Sequence, residues 1–286
     1  EKQNLMTYLD VDTENNYYYS EVKGRELYFV NEGLKVPKYG QVELVEAETS
    51  FTAYQEFQSM LTRDRIDIFM VGEFDDYQVL QALHRFPLEG RQIDLQFSYS
   101  QPYVNVVKEK IEPRQSSQSI LQLGYQFPCQ YGDKDYFALI VFNAMFGEFA
   151  HSALFTTLRE KEGLAYSISS QFDIFTGLLE VYAGIEKSNR NQAMRGISRE
   201  LNYIKLGRFS SSLLNQTKKI IRMNALLSED HALTLVEQRF NKVIFGDKSL
   251  SLENWLDEIE KVTKKDVCRV ARQVKLQSLF FLEGVS

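Results

Sequence analysis

Apolar side chains near the start of the chain recur at the spacing of helices. Leu5 and Leu9, and then Val22 and Leu27, predict two helices on a core, with a turn at residues 14–16 between them. A further helix is expected after Thr49 and Ser50, which suit an N-cap. The apolar face of that helix carries Tyr54, Phe57, Met60 and Leu61.

An apolar run and a stretch without periodicity follow this helical part. Residues 66–72 alternate and then become continuously apolar, which predicts a strand entering a core, and a short helix is expected at residues 75–84. Residues 87–118 show little periodicity and include Gly90 and three prolines, as is typical of a linker. We therefore predict one domain at residues 1–90, a linker at residues 91–118 and a second domain at residues 119–286.

The order of elements restarts after the linker. Residues 119–127 alternate apolar and polar positions, which predicts a half-buried strand. Asp133 is expected to cap a long helix, and a second helix at residues 152–161 is expected to end at Gly163. Two strands, at residues 166–175 and 178–185, are expected to form a hairpin. The remaining periodicity predicts helices at residues 190–206, 210–227, 228–245, 252–260 and 263–274, and a last strand at residues 278–282.

One unit occurs twice along the chain. Thr49, a helix and an apolar strand closing on Gly72 match Thr263, a helix and an apolar strand closing on Gly284. The pattern indicates two similar α+β domains in tandem, of which the first is incomplete. Chance recurrence of a common helix-strand unit is the alternative.

Composition narrows the class of protein. The 286 residues are 44% hydrophobic and carry a net charge of −6, which disfavours both disorder and binding to nucleic acid. Cys129 and Cys268 lie far apart in sequence and are expected to be core thiols in a reducing compartment such as the cytoplasm. No apolar run is long enough to span a bilayer, so no membrane association is expected. The start at Glu1, without Met and inside a predicted helix, suggests a fragment of a longer protein.

A specific motif lies between Ser152 and Ser167, with the sequence SALFTTLREKEGLAYS. This stretch resembles the signature of the M16, insulinase-like or pitrilysin, metallopeptidase family: Ser-x-Leu-Phe, three residues, then Arg-Glu-Lys-x-Gly-Leu-Ala-Tyr. Asn143, Phe146-Gly147 and Val71-Gly72 also match family positions. The resemblance extends over nearly the whole chain and suggests a bacterial homologue. It implies tandem LuxS/MPP-like metallohydrolase-type domains, each a mostly antiparallel sheet packed with helices.

Arg159 and Tyr166 are the candidate site residues of this motif. One lies near a helix end and the other just beyond the glycine turn, so two hydrogen-bond donors can converge on a carbonyl oxygen or a peptide backbone. In the resembling peptidases, the matched Arg and Tyr bind substrate opposite the zinc. Alternatively, Arg159 satisfies the last helical carbonyls and Tyr166 packs at an interface.

The zinc chemistry of the family is not expected in this chain. The family uses His-x-x-Glu-His and a distal Glu ligand, whereas His84, His151 and His231 stand far apart in sequence. The family resemblance places Tyr8 at the position of the distal Glu, and Tyr is a poor zinc ligand. Glu148 and Phe149 also replace the glycines of the family, which is expected to hinder close approach of a substrate backbone.

Three functions stay open on these grounds. The first is a non-catalytic subunit of a heterodimeric peptide-processing enzyme, without a cofactor of its own. It would pair with a zinc-bearing M16 homologue, or with itself, and lend Arg159 and Tyr166 to a peptide substrate. The second is a scaffold or binding protein without a peptidase role. The third is a truncated active zinc peptidase whose histidine motif precedes Glu1.

Overall fold

The structure is a computed structural model that describes residues 1–86, 90, 91, 93 and 99–285. Its α-helices are α1 (Lys2–Glu14), α2 (Asn16–Tyr28), α3 (Glu32–Lys35), α4 (Val42–Ala47), α5 (Ser50–Arg63), α6 (Asp76–Leu83), α7 (Tyr136–Asn143), α8 (Arg190–Lys205), α9 (Ser211–Ser228), α10 (Ala232–Phe245), α11 (Leu252–Lys261) and α12 (Lys264–Gln273). Its strands are β1 (Lys108–Gln115), β2 (Ser119–Gln126), β3 (Ala165–Asp173), β4 (Leu178–Ile185) and β5 (Lys275–Val285). The segments Ala144–Glu148 and Phe155–Lys161 are π-helical, and Lys187–Asn189 and Gly246–Lys248 form 3-10 turns.

The five strands form one sheet in the order β1-β5-β2-β4-β3. The pair β1 and β5 is parallel, whereas β5 with β2, β2 with β4 and β4 with β3 are antiparallel. The α+β prediction of a mostly antiparallel sheet packed with helices is therefore confirmed.

Helices cover both faces of this sheet. On one face, Leu121, Val181 and Phe281 join the main core with residues of α7, α8 and α12. On the other face, α2 packs against β2 and β5, and Phe280 and Leu282 are buried there. β2 is consequently buried along nearly its whole length, and the prediction of a half-buried strand was wrong.

Close contact between α2 and β2 explains the difference. A Cβ atom at Gly24 would lie 2.7 Å from Cγ of Gln122, and one at Gly124 would lie 2.9 Å from Cδ2 of Tyr28. The polar and glycine positions of β2 therefore face a helix where sequence alternation predicts solvent. A helix near the start of the chain therefore covers one face of the sheet that the later residues form.

A buried ion pair fastens α2 to this face. Arg25 donates from Nε and Nη2 to the two carboxylate oxygens of Glu180 at 3.2 and 2.8 Å, and Gln171 Nε2 adds a contact of 3.3 Å. Glu180 is only 4% exposed. Glu21 lies 3.5 Å from Arg25 and shares the same pocket.

The carboxyl group of Glu21 should make stability depend on pH. Burial, with a further contribution from the negative charge of Glu180, raises the pKa of Glu21 above its ordinary value despite Arg25. A raised pKa favours the folded state while the group is protonated, and this contribution is lost as the pH rises. We expect Glu21→Gln to raise the Tm at pH 7 by about 1–2 °C, the scale of a mild surface substitution.

Thermal unfolding at several pH values checks this expectation. Below about pH 3 the wild-type carboxyl is protonated in both states, so the difference between wild type and Glu21→Gln should vanish. A lower Tm for the variant at pH 7 would contradict the assignment.

The N-cap predicted at Thr49 and Ser50 is present, and the matching helix of the repeat is capped in the same way. Thr49 and Thr263 each form a capping box, with Thr52 and Asp266 as the respective third residues. Asp75 caps α6, whose predicted extent is close to the observed one. The first part of the repeated unit, a helix with a threonine N-cap, therefore occurs twice as predicted.

The strand predicted at residues 66–72 was wrong. These residues form no regular element, and Ile68 and Met70 are 49% and 48% exposed. No neighbouring strand lies beside them in the described part of the chain, whereas β5, its counterpart in the repeat, pairs on both sides. The apolar face of α5 is likewise uncovered by the described residues, since Phe57 is 50% exposed.

Part of the predicted linker belongs to the sheet. Residues 108–115 form β1, which pairs in register with β5 from Lys108 opposite Ser278 onward. Pro113 is tolerated because β1 is an edge strand. Residues 87–89, 92 and 94–98, at the predicted boundary and in the linker, lie outside the described residues. The division into domains stays a prediction.

Two helix boundaries also differ from expectation. Asp133 caps no helix, because α7 begins at Tyr136 and the Asp133 carboxylate accepts the backbone N–H of Gln130. The long helix predicted there continues instead as the π-helical turn Ala144–Glu148. The helix expected from residue 228 begins at Ala232, after α9 has ended at Ser228.

The two cysteines are buried, as predicted for core thiols, and burial raises the pKa of the Cys129 thiol to about 12. Among the helices that the structure describes, none combines the length and the apolar character needed to cross a bilayer. A cytoplasmic location stays a prediction.

Candidate functional site

A tight turn separates the two candidate residues. The π-helix Phe155–Lys161 ends where Glu162 N–H donates to Thr157 O at 2.9 Å and Leu164 N–H donates to Leu158 O at 2.8 Å. Gly163 adopts φ +61°, the left-handed conformation that closes a helix, as its place in the motif predicts. β3 then starts at Ala165. Wide helical turns of this kind are rare and often lie at functional sites.

Arg159 projects from the last turn of this π-helix. Its side chain is exposed, and its guanidinium carbon lies 4.6 Å from the ring centroid of Phe155. The carbonyl groups of Thr157 and Leu158 already accept main-chain N–H groups. Stacking on Phe155 orients the cation while leaving its hydrogen-bond donors to face solvent or a ligand.

Tyr166 occupies an irregular position of β3. Ala165 pairs with Ile185 and Ser167 pairs with Gly184, so Tyr166 is the extra residue of a β-bulge. Its ring is 53% exposed, and its hydroxyl donates to Glu186 Oε1 at 2.8 Å. That hydrogen bond raises the pKa of the Tyr166 phenol above its ordinary value. Bulges re-aim side chains, often beside functional sites.

The turn itself is anchored to α8. Arg199 donates to Glu162 at 2.5 Å and also pairs with Glu200 at 3.1 Å. Leu158 is fully buried and packs against Gly196 of the same helix. An ion pair and an apolar contact with α8 therefore fix the segment that carries Arg159 and Tyr166.

A buried polar network lies beneath β3. Ser170 Oγ donates to Asn143 Oδ1 at 2.7 Å, and Asn143 Nδ2 donates to Glu148 Oε2 at 2.9 Å. Desolvation raises the pKa of Glu148, and the hydrogen bond from Asn143 opposes that shift. A Cβ atom at Gly147 would lie 2.8 Å from the backbone nitrogen of Ser170. The glycine therefore permits close packing of the π-helical turn on β3.

The described residues do not fit a zinc site. Tyr8 lies on α1, is 53% exposed and meets Tyr39 edge-on at 6.3 Å between ring centroids. The histidines are on separate elements: His84 follows α6, His151 bonds to Thr217 Oγ1 at 2.9 Å, and His231 precedes α10. Within the described ranges, no three His, Cys, Asp or Glu side chains are grouped to hold a metal ion.

Arg159 and Tyr166 thus flank the same anchored turn, and both are exposed. No hydrogen bond joins them among the described residues, and each has its own neighbour. Sequence reasoning missed the neighbour of Tyr166, Glu186, because twenty residues separate the two and only the pairing of β3 with β4 brings them together. It also missed the link between Asn143 and Ser170.

A family model described as "Peptidase M16 inactive domain" matches residues 54–221 of this chain. The "Probable inactive metalloprotease YmfF" of Bacillus subtilis (strain 168) is 32% identical over 285 residues, which cover 99% of this chain and 67% of YmfF. The "Uncharacterized zinc protease YmxG" of the same organism is 24% identical over 85% of this chain and 59% of its own length. The chain thus spans about two thirds of such relatives or less.

A solved structure shares the fold closely. A conserved protein from Enterococcus faecalis V583 superposes with a TM-score of 0.94 and is 36% identical, covering 99% of this chain and 67% of that protein. The peptidase M16 inactive domain from Pseudomonas fluorescens superposes with a TM-score of 0.75 at 15% identity, covering 100% and 70%. At that identity the second match shows the fold alone.

Proposed function

Since the chain belongs to the M16 peptidase family, we propose that it pairs with a zinc-bearing M16 homologue and presents Arg159 and Tyr166 to a peptide substrate. The chain is itself an inactive M16 homologue, in agreement with its match to the inactive-domain model and to YmfF. The zinc would be supplied by the partner. The peptide-processing heterodimer is the part that requires an experiment.

The observation that carries the proposal is the exposure of Arg159 and Tyr166 on one anchored turn. The alternative role of Arg159, satisfying the last helical carbonyls, would commit its donors to main-chain groups of its own helix. Instead, Arg159 stacks on Phe155 with its donors free of those carbonyls, and Tyr166 is bulged out of its strand. Both side chains are therefore accessible to an incoming peptide.

The chemistry of the pair suits a peptide group. Arg keeps its positive charge and offers several N–H donors in a fixed plane, which stabilise a carbonyl oxygen that gains negative charge. A zinc ion with an activated water, held by His and Glu ligands, would supply the hydrolytic step from the partner. The residues of this chain would bind and orient the peptide.

We expect Arg159→Ala to lower kcat/KM for peptide cleavage by about tenfold or more. Losing a hydrogen bond from a charged donor typically costs about 1.5–3 kcal/mol, and 1.4 kcal/mol corresponds to a factor of ten. The full-length protein containing this chain would be combined with the zinc-bearing homologue of its organism, and cleavage of unstructured fluorogenic peptides followed.

Lys161→Ala is the matched control, because Lys161 is an exposed cation of the same π-helix, two residues beyond Arg159. It should leave kcat/KM within about twofold of wild type. Equal cleavage by wild type and Arg159→Ala would contradict the proposal and favour a scaffold role. Stoichiometric zinc in the isolated full-length protein would point to an active peptidase.

A further inference from the structure

The hydroxyl group of Tyr166 has a dedicated acceptor. Its oxygen lies 2.8 Å from Glu186 Oε1, and both side chains are exposed. Glu186 directly follows the last residue of β4, Ile185, which pairs with Ala165 beside the bulge. The strand register thus fixes the two backbones that carry the hydroxyl and the carboxylate.

The geometry points to Glu186 as a positioning residue that accepts the hydrogen bond of the Tyr166 hydroxyl, so that the phenol oxygen meets a bound peptide as an acceptor of one of its N–H groups. This inference rests on the proposed function of Arg159 and Tyr166 in peptide binding. It makes Arg159 a hydrogen-bond donor and Tyr166 an acceptor toward the peptide, whereas the motif alone suggests that both residues donate.

The inventory of donors and acceptors supports this assignment. An ionised carboxylate can only accept, so the single O–H proton of Tyr166 must be the one in the bond with Glu186. The phenol oxygen then retains only lone pairs for a second partner. Arg159 has donors and no acceptor. Together they complement a C=O and an N–H group, which alternate along an extended peptide backbone.

The surroundings hold Glu186 in place. The residue after it, Lys187, lies 3.1 Å from Glu283 of β5 and begins the 3-10 turn Lys187–Asn189. The bulge at Tyr166 turns the ring out of the regular alternation of β3. Hydrogen bonds to an ionised acceptor are among the stronger ones in proteins, so the hydroxyl should spend most of its time oriented toward Glu186.

A titration tests the proton assignment without any peptide. In the full chain labelled with ¹³C at tyrosine Cζ, the Tyr166 resonance is identified by its loss in Tyr166→Phe. Because the hydrogen bond to Glu186 raises the pKa of Tyr166, Glu186→Ala should bring that pKa down toward its ordinary value. Glu160→Ala, which removes an exposed carboxylate beside Arg159, should leave it unchanged. An unaltered pKa in Glu186→Ala overturns the inference.

A second measurement tests the acceptor role. The probes are a fluorescein-labelled unstructured dodecapeptide and its single N-methyl derivatives, bound to the full-length protein with its zinc-bearing homologue. We expect one N-methyl position to weaken binding about tenfold in wild type, because it removes the N–H that Tyr166 accepts. That penalty should disappear in Tyr166→Phe and shrink at least threefold in Glu186→Ala, but persist in Glu160→Ala.

The outcomes separate the inference from the function on which it rests. An N-methyl penalty of the same size in wild type and Glu186→Ala overturns the acceptor role, even where Arg159→Ala weakens binding. If no peptide binds the wild-type protein, the proposed function is wrong, and so is the role of Tyr166 as an acceptor of a peptide N–H group. In that case the titration still decides whether Glu186 accepts the hydrogen bond of the Tyr166 hydroxyl.

Discussion

Arg25→Ala is expected to lower the free energy of unfolding by about 3 kcal/mol, because it would leave the carboxylate of Glu180 buried without its cation. Glu180 is 4% exposed, and of the residues that the structure describes, only Gln171, at 3.3 Å, would remain as a side-chain partner. About a third of the Arg25 side chain is exposed, so water can reach part of the site, which places the loss at the lower end for buried pairs. Urea unfolding of the full chain measures the change.

Two further variants test whether the expected loss depends on the burial of the ion pair. Lys23→Ala breaks an ion pair on the same helix, with Glu26 at 2.8 Å, but both partners are over a quarter exposed, and the cost should stay below about 1 kcal/mol. The double variant Arg25→Met with Glu180→Leu removes both charges together and should recover most of the loss. A cost for Arg25→Ala no greater than for Lys23→Ala would show that the pair does not fasten α2 to the sheet.

Gly147→Ala should destabilise the chain by about 2 kcal/mol, since the new methyl group has no room. Its Cβ would lie 2.6 Å from Ser170 Oγ and 2.8 Å from Ser170 N, and the backbone atom belongs to a paired strand and cannot move aside freely. The shift would also strain the hydrogen bond between Ser170 and Asn143 under the candidate site. Chemical denaturation monitored by circular dichroism gives the magnitude.

Gly33→Ala is the control for the general effect of replacing glycine. Gly33 lies in the short helix α3, where, within the described part of the chain, a new Cβ would come within 4 Å of Asn31 Oδ1 alone, at 3.3 Å. Alanine there should change stability only slightly, because the restriction of the unfolded chain offsets the tight contact with Asn31. Equal effects at the two glycines would argue against close packing at Gly147.

Local signals were enough to locate several elements of the fold. The capped helices α5 and α12 follow from threonine N-caps and apolar periodicity, and the left-handed turn at Gly163 follows from its place after a helix. These features depend on interactions within a few residues. Their physical causes are therefore visible in the sequence itself.

Long-range contacts account for what the sequence did not predict. β1 is rich in charged residues and contains Pro113, yet it is a strand because β5 offers a parallel partner 170 residues away. Residues 66–72 have the better strand composition and remain outside the sheet, since strand propensity counts only where a neighbour completes the hydrogen bonds. The full burial of β2 likewise depends on α2, almost a hundred residues earlier.

The candidate site divides in the same way. The motif identified Arg159 and Tyr166 because they lie seven residues apart around one turn. Glu186 carries no signal of its own, and its meeting with Tyr166 depends on a bulge whose register cannot be read from residue types. Sequence reasoning thus found the two exposed residues that flank the turn and missed the acceptor of the Tyr166 hydroxyl.

The position of β5 also affects how the protein is made. β5 lies between β1 and β2, and its first residue is synthesised about 150 residues after the last residue of β2. At roughly 5–20 residues per second, the ribosome takes about 8–30 s to cover that distance. During this interval the nascent chain exposes an unpaired edge of β2 and half of an apolar core. Molecular chaperones that bind extended apolar segments would have their longest opportunity there, before the final strand inserts and closes the sheet.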